Sequence, residues 1–406
     1  MHATPAEAGS ANPLLDELAR RLDELDHAGL RRTRRTVEAA EGVRLRIDGR
    51  WLLSFCSNDY LGLSGDPRLL QAASRSAQTA GAGASALISG HWSAHERLET
   101  ELARFVGAQR ALLFSTGYMA NLGIVPALAG RGDAVFSDAL NHASIVDAAR
   151  LSRADVHVYP HRDVRALARM LEQSTARVKL VASDAVFSMD GTIAPLRELI
   201  ALCEAQRAWL VLDDAHGLGV LGPQGRGTPA HFGVHSRNLV HMGTLGKAAG
   251  VAGAFAAGDA CTIEWLLQRA RTYVFTTASP PMLSDALHES LRIIAAEDWR
   301  RARLRELARQ LQAGLAGSRY RLLASDTAIQ PIVVGTNEAA VTLAAALIAR
   351  GIWVPAIRPP TVPAGTARLR VSLSAAHDAG DVQCLVDALR TLEREIDSAQ
   401  SNTRPE

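Results

Sequence analysis

Between residues 111 and 256, short apolar runs alternate with stretches of helical periodicity, and this alternation limits the possible folds more than any other feature. The runs occupy 111–114, 134–136, 156–159, 178–182, 209–212, 239–242 and 251–256. Runs of this length that are apolar at nearly every position suit strands buried on both faces. Strands that recur with a helix between them predict an α/β chain, a mostly parallel sheet covered by helices on both faces. In such sheets, ligands bind where the strands end.

The flanking segments read differently. Leu14, Leu15, Leu18, Leu22 and Leu25 have helical spacing, with Arg20, Arg21, Arg31, Arg32, Arg34 and Arg35 crowding the far end, so residues 11–35 are expected to form a basic amphipathic helix. Residues 43–55 alternate around Asp48-Gly49 as a hairpin does. Beyond about residue 290 the pattern becomes a long Arg/Leu helix (299–315), a strand (329–334), a helix (338–350), a strand (369–373) and a last helix, with a frayed tail after 398. The expected division is an N-terminal helix and hairpin (1–56), a large domain (57–290) and a smaller α+β domain (291–406).

Charge excludes some partners. With 44 basic against 42 acidic residues the net charge is +2, which gives no reason to expect nucleic acid or a membrane surface. Small molecules, including anions, remain the natural ligands. Cys56, Cys203, Cys261 and Cys384 are scattered without paired spacing, and no segment approaches ~20 consecutive apolar residues. A cytoplasmic location is expected.

Only two of the 44 basic residues are lysines, Lys179 and Lys247. Arginine stays protonated, whereas a lysine in suitable surroundings becomes a nucleophile or base. Lys247 lies in Thr244-Leu245-Gly246-Lys247-Ala248-Ala249-Gly250, where small residues admit a planar group. Lys179 opens an apolar run and reads as a solvated strand-end residue. Asp213-Asp214-Ala215-His216 follows a strand and offers carboxylate and imidazole to a ring nitrogen and a phenolic oxygen, although a capped turn has the same composition. Gly217-x-Gly219-x-x-Gly222 imitates a dinucleotide fingerprint but continues as a loop through Pro223-Gln224-Gly225, without the later acidic residue. Residues 215–258 hold no Asp or Glu beside His216, Arg226, His231, His235, Arg237, His241 and Lys247, a cationic field suited to a phosphorylated cofactor. Ser115-Thr116-Gly117-Tyr118 opens a helix after a strand and can cradle a phosphate. Asn141-His142-Ala143-Ser144 does likewise, with His142 able to lie on a ring, and Ser188 follows the Lys179 strand. His91 and His95 have metal-like spacing without a third ligand, and no metal is expected.

The ordered series Ser115-Thr116-Gly117-Tyr118, Asn141-His142-Ala143-Ser144, Phe187-Ser188-Met189-Asp190-Gly191, Asp213-Asp214-Ala215-His216-Gly217 and Thr244-Leu245-Gly246-Lys247 resembles the α-oxoamine synthases, pyridoxal phosphate (PLP)-dependent enzymes of fold type I. The likeness begins by Ser57-Asn58-Asp59-Tyr60-Leu61-Gly62-Leu63 and covers nearly the whole chain. It implies that Lys247 binds the cofactor covalently, Asp213 pairs with its ring nitrogen and His142 stacks on the ring. It also places Ser188 and His216 at the phenolic oxygen, and Gly117, Tyr118 and Thr244 at the phosphate. Arg358-Pro359-Pro360-Thr361-Val362-Pro363 is similar to the substrate segment of the alanine-using members, which condense L-alanine with a pimeloyl thioester on CoA or acyl carrier protein and release CO2. By this resemblance Arg370 holds the amino-acid carboxylate, Thr361 touches substrate, and either Arg31 or Arg32 reaches the acyl end. A homodimer with shared sites is implied. Glycine-using sister enzymes, a nicotinamide dehydrogenase and a non-catalytic subunit are the alternatives. Leu245 in place of a frequent Phe, and the alanines of Gly81-Ala82-Gly83-Ala84-Ser85, depart from the family pattern and are expected to tune packing.

Overall fold

The computed structural model describes residues 12–76 and 79–401. All seven apolar runs form one sheet in the order Arg110–Phe114, Ala254–Gly258, Leu239–Thr244, Trp209–Asp213, Lys179–Asp184, Ala134–Asp138 and Asp155–Tyr159. Only Ala254–Gly258 runs antiparallel to its neighbours. Helices cover both faces. Val135, Leu180, Ala182, Val211, Val240 and Met242 pack with Ile124 and Ala148 on one side, while Phe136, Val181, Leu210 and Leu212 pack with Leu167 and Leu199 on the other. Successive strand residues point to opposite faces, and this parity later decides which polar residues share a site.

A second sheet, in the order Arg321–Leu322, Ile329–Gly335, Ala367–Ser372 and Ala356–Ile357, is antiparallel throughout. It packs against Asp298–Gly314 and Ala379–Ser401 over a core that includes Leu304, Leu311, Leu369 and Leu385. The predicted hairpin forms as Arg44–Ile47 and Arg50–Ser54, but it is not a separate appendage. Its second strand pairs in parallel with Ile352–Trp353, so the start of the chain is stitched to the C-terminal unit. Residue 290 falls inside the helix Pro281–Ala296. The final helix reaches Ser401, and the rest of the expected tail lies outside the described residues.

The N-terminal helix is shorter than expected, spanning Pro13–His27 instead of 11–35. Asn12 caps its start, the side chain accepting from Leu14 N. Gly29, at φ 62°, stops it, and Leu30 N donates back to Leu25 O. A left-handed residue just past the last turn is the usual glycine stop. Arg31, Arg32, Arg34 and Arg35 therefore lie in extended chain.

Candidate active site

The site gathers at the C-terminal ends of the parallel strands. Gly117, Tyr118, His142, Ser144, Asp184, Ser188, Asp213, Ala215, His216, Thr244 and Lys247 line one cavity of about 200 Å³. Parity brings the strand residues together. Val211 and Ala182 face the layer that holds the helix Gly117–Leu128, so Asp213 and Asp184, each two residues further on, face it too. The two carboxylates sit in register on adjacent strands.

Asp213 is buried, and each of its oxygens already holds an internal donor: Asn121 Nδ2 at 2.7 Å on Oδ2 and Ala215 N at 3.0 Å on Oδ1. Asp214 faces the other way. Its carboxylate accepts from Thr228 N (2.7 Å), Thr228 Oγ1 (2.5 Å) and His241 Nε2 (3.0 Å), in a pocket with no solvent exposure. Asp214 is thus the structural member of the pair. The glycine series beside it has a packing role, because a Cβ at Gly217 would overlap Asp214 Oδ1 and Thr228 Oγ1, and one at Gly227 would overlap Asp214 Oδ2. Gly217→Ala should therefore lower stability by about 1–3 kcal/mol, as overpacking does, read as a reduced urea midpoint.

Lys247 Nζ lies 2.9 Å from His216 Nε2. Burial lowers the amine from 10.5 to about 8, against the opposing pull of Asp213 and Asp184, with Arg370 adding to the fall. His216 is held well below its ordinary value, first by burial and then by Lys247, Arg370 and His142, so the ring is neutral. Its tautomer follows from Arg370, which can only donate. Arg370 Nη1 donates to Asn58 Oδ1 (3.0 Å), which also accepts from the Tyr60 hydroxyl (3.1 Å). Tyr60 Oη is left to accept from His216 Nδ1 (2.7 Å), and the lone pair on Nε2 faces Lys247.

Arg370 itself is 5% exposed and has no carboxylate partner among the described residues. Its remaining contacts are neutral: Nε to Ser188 O (2.5 Å), Nη1 to Ser372 Oγ (2.6 Å) and Nη2 to Tyr60 Oη (3.4 Å). A buried cation among neutral acceptors is half of an ion pair. Arg368, two residues away, is already paired with Asp190.

The anion end lies opposite. Thr116 caps the helix Gly117–Leu128, and a Cβ on Gly117 would come within 2.5 Å of Thr244 Cγ2, so glycine is what lets this helix start approach the end of the strand Leu239–Thr244. The open N–H groups there favour an anion. Tyr118, at the mouth, donates to Asp147. His142 N donates to Asp184 Oδ2 (3.0 Å), and burial keeps the imidazole below its ordinary value. Asp184 is pushed well up by burial and then by the neighbouring Asp213.

Some expected residues stand elsewhere. Thr361 lines an adjoining chamber of about 380 Å³ with Leu140, Phe187, Met189, Val362 and Arg368. Arg31 and Arg32 are exposed, do not line the cavity, and Arg31 pairs with Asp26. The cationic field divides: Arg226, His235, Arg237 and His241 line a separate cavity, with Arg237 paired to Asp259 and His241 to Asp214. Lys179 is not merely solvated, since Nζ donates to Leu171 O at 2.7 Å. His95 Nε2 meets Ser279 O and its Nδ1 accepts from Trp92 N, while His91 pairs with the exposed Glu96. The sequence reading assigned no role to Asn58, Tyr60, Asn121, Ser144 or Asp184. Asn121 left a signal there, as the one polar side chain in 119–128.

A depressed amine, a strand-end carboxylate with internal donors, a glycine-cleared helix start and an unpaired guanidinium together fit an aldehyde-bearing, phosphorylated ring cofactor and an amino-acid carboxylate. Residues 51–389 match the family model for class I and II aminotransferases. An 8-amino-7-oxononanoate synthase from Herminiimonas arsenicoxydans is 59% identical over 383 residues, 92% of this chain and 98% of that protein. One from Janthinobacterium sp. strain Marseille is 57% identical over 392 residues, 95% of this chain and all of that protein. Among solved structures, a serine palmitoyltransferase from S. paucimobilis with a bound PLP–myriocin aldimine superposes at TM-score 0.89 and 30% identity, covering 96% of this chain and 100% of that one. An 8-amino-7-oxononanoate synthase from Francisella tularensis does so at 0.74 and 30% identity, covering 86% and 99%. The chain belongs to the 8-amino-7-oxononanoate synthase family, within the fold-type I class.

Proposed function

We propose that this chain is a PLP-dependent acyltransferase that condenses L-alanine with a pimeloyl thioester, releasing CO2 and free thiol and yielding 8-amino-7-oxononanoate for biotin synthesis. The observation that carries this reading is a depressed lysine amine in the cavity, linked through His216 and Tyr60 to a buried arginine with no carboxylate partner among the described residues.

Each side chain has a task its surroundings suit. Lys247 would hold the cofactor covalently, and its amine would take the alanine Cα proton, which a neutral amine near physiological pH can do. The bound cofactor supplies an electron sink for the charge developing at Cα. Asp213 keeps the ring nitrogen protonated, because an ionised carboxylate favours that proton. With the cofactor bound, Ser188 and His216 would serve its phenolic oxygen, His142 its ring, and Gly117, Tyr118 and Thr244 its phosphate, all of them lining the one cavity. Arg370 receives the alanine carboxylate in a two-pronged contact. The chamber lined by Leu140, Phe187, Met189 and Val362, with Thr361 at its wall, takes the acyl chain.

The reading includes a homodimer, for which the exposed apolar faces speak. Leu14, Leu15, Leu18, Leu22 and Leu25 are all exposed on a helix with no buried residue, and Leu87 and Ile88 are exposed in the loop after Gly81. A second copy covering these faces brings Arg31 or Arg32 toward the acyl end of a shared site. No helix among the described residues is long and apolar enough to cross a membrane, and we place the enzyme in the cytoplasm.

Mass spectrometry of the product from alanine and pimeloyl-CoA tests the assignment. The aminoketone should form with alanine and not with glycine; turnover only of glycine with acetyl-CoA would reassign the chain to a sister activity. The amine at about 8 adds a pH signature. Covalent capture of PLP requires neutral Lys247, so its rate should rise with pH and level off above about 8, and a midpoint near 10.5 would place the captured amine on the surface.

A further inference from the structure

Asn121 is fully buried, and its Oδ1 has no hydrogen-bond partner. Orphaned buried polar atoms are few in native proteins, and each calls for a reason. A leucine would fill this volume without leaving an oxygen bare. The reason lies at the other end of the amide. Nδ2 donates to Asp213 Oδ2 at 2.7 Å and to Ser144 Oγ at 2.9 Å. Ser144 Oγ lies 2.7 Å from His142 Nδ1, and Ser144 N donates to the same nitrogen at 3.2 Å.

Two groups that do not reverse set the directions in this chain: the Asp213 carboxylate, which accepts from Asn121, and the Ser144 backbone N–H, which donates to His142 Nδ1. Asn121 therefore turns its NH2 to Asp213 and its oxygen away. The second amide hydrogen then occupies Ser144 Oγ as an acceptor, and the serine hydroxyl hydrogen goes to His142 Nδ1. Burial keeps that imidazole neutral. With Nδ1 accepting from Ser144, the ring proton stands on Nε2, for which no described residue is an acceptor.

We propose that Asn121 is a positioning residue that ties the Asp213 carboxylate to the His142 imidazole through the Ser144 hydroxyl, so that the ring-nitrogen partner and the Nε2–H donor over the cavity are held by one amide, with the Ser144 N–H as second support for that tautomer. The consequence for catalysis rests on the functional reading above, whereas the tautomer can be read without turnover.

Full-length protein carrying 15N-labelled histidine rings tests the coupling by long-range proton–nitrogen correlation, with the His142 signal assigned by its loss in His142→Gln. The expected parent spectrum shows a protonated Nε2 and a bare Nδ1, with or without PLP. In Asn121→Leu and in Ser144→Ala the two nitrogens should drift part of the way toward averaged shifts, because the Ser144 N–H then remains the one donor holding Nδ1. Ser144→Ala removes one hydroxyl and keeps the question open if the leucine variant fails to fold. In steady state, Asn121→Leu should lower kcat by roughly 10- to 100-fold and leave the alanine KM within about twofold, because the arginine site is untouched. Adding Ser144→Ala to Asn121→Leu should give no further loss, since both break one chain. An unchanged His142 tautomer in both variants, or losses that multiply in the double variant, overturns the proposal. The tautomer result does not depend on the substrate assignment, which product analysis decides separately.

Discussion

Lys247→Met is expected to lower turnover by roughly 10⁴-fold or more while making the cofactor-free protein more stable. The loss follows from two tasks in one amine, covalent attachment and proton transfer, with general acid–base catalysis alone contributing up to about 10⁴-fold. The gain follows from burial. The amine sits at about 8 in the folded chain against 10.5 for an exposed lysine, so folding must work against its charge at neutral pH. The unfolded chain binds the extra proton between these values, so stability should rise as pH climbs from about 8 toward 10.5, and at pH 7 the full penalty is present. That penalty is on the order of 3 kcal/mol, and a methionine of similar length escapes it. Urea unfolding at pH 7 checks the gain, and borohydride treatment with peptide mapping checks the attachment, which should vanish from this variant and be absent from Lys179. A variant that is less stable at pH 7 and still captures PLP elsewhere would sink both claims.

How much of this was legible in the sequence depends on distance along the chain. The seven strands were readable because a strand buried on both faces is apolar at almost every position, and nothing else of that length is. Their order was not, since Ala254–Gly258 inserts between its sequence neighbour Leu239–Thr244 and Arg110–Phe114, the latter pairing joining residues 140 or more apart. The leucine spacing, which ends at Leu25, agrees with the observed helix; the expected extension to residue 35 took in the arginine-rich stretch beyond the stop at Gly29. The charges misled for a similar reason. Counting cations between 215 and 258 suggested a field around Lys247, whereas strand parity sends His241 to Asp214 and Arg237 pairs with Asp259. Asn121, Tyr60 and Asp184 join the site through partners 23 to 310 residues distant, and no local pattern carries that.

Arg370→Lys should weaken alanine binding by roughly 10- to 150-fold, since a point-charge ammonium cannot present the guanidinium fork and charge-assisted hydrogen bonds are worth about 1.5–3 kcal/mol. The thioester KM should stay within about twofold, because Arg370 does not line the acyl chamber. Arg370→Met separates fork from charge. The cation helps to depress both Lys247 and His216, so removing it should raise the lysine above about 8 and move the rise in PLP capture to higher pH. Arg370→Lys should leave that profile near its parent position. The neighbouring arginines offer no substitute: Arg368 is paired with Asp190, and Arg358 donates to Gly29 O in the N-terminal segment. Isothermal titration with alanine, alongside the capture-rate profile, reads both effects. An unchanged alanine affinity in Arg370→Lys together with a loss in Arg358→Lys would move the carboxylate site to the 358–363 segment and leave the buried guanidinium as a purely electrostatic device.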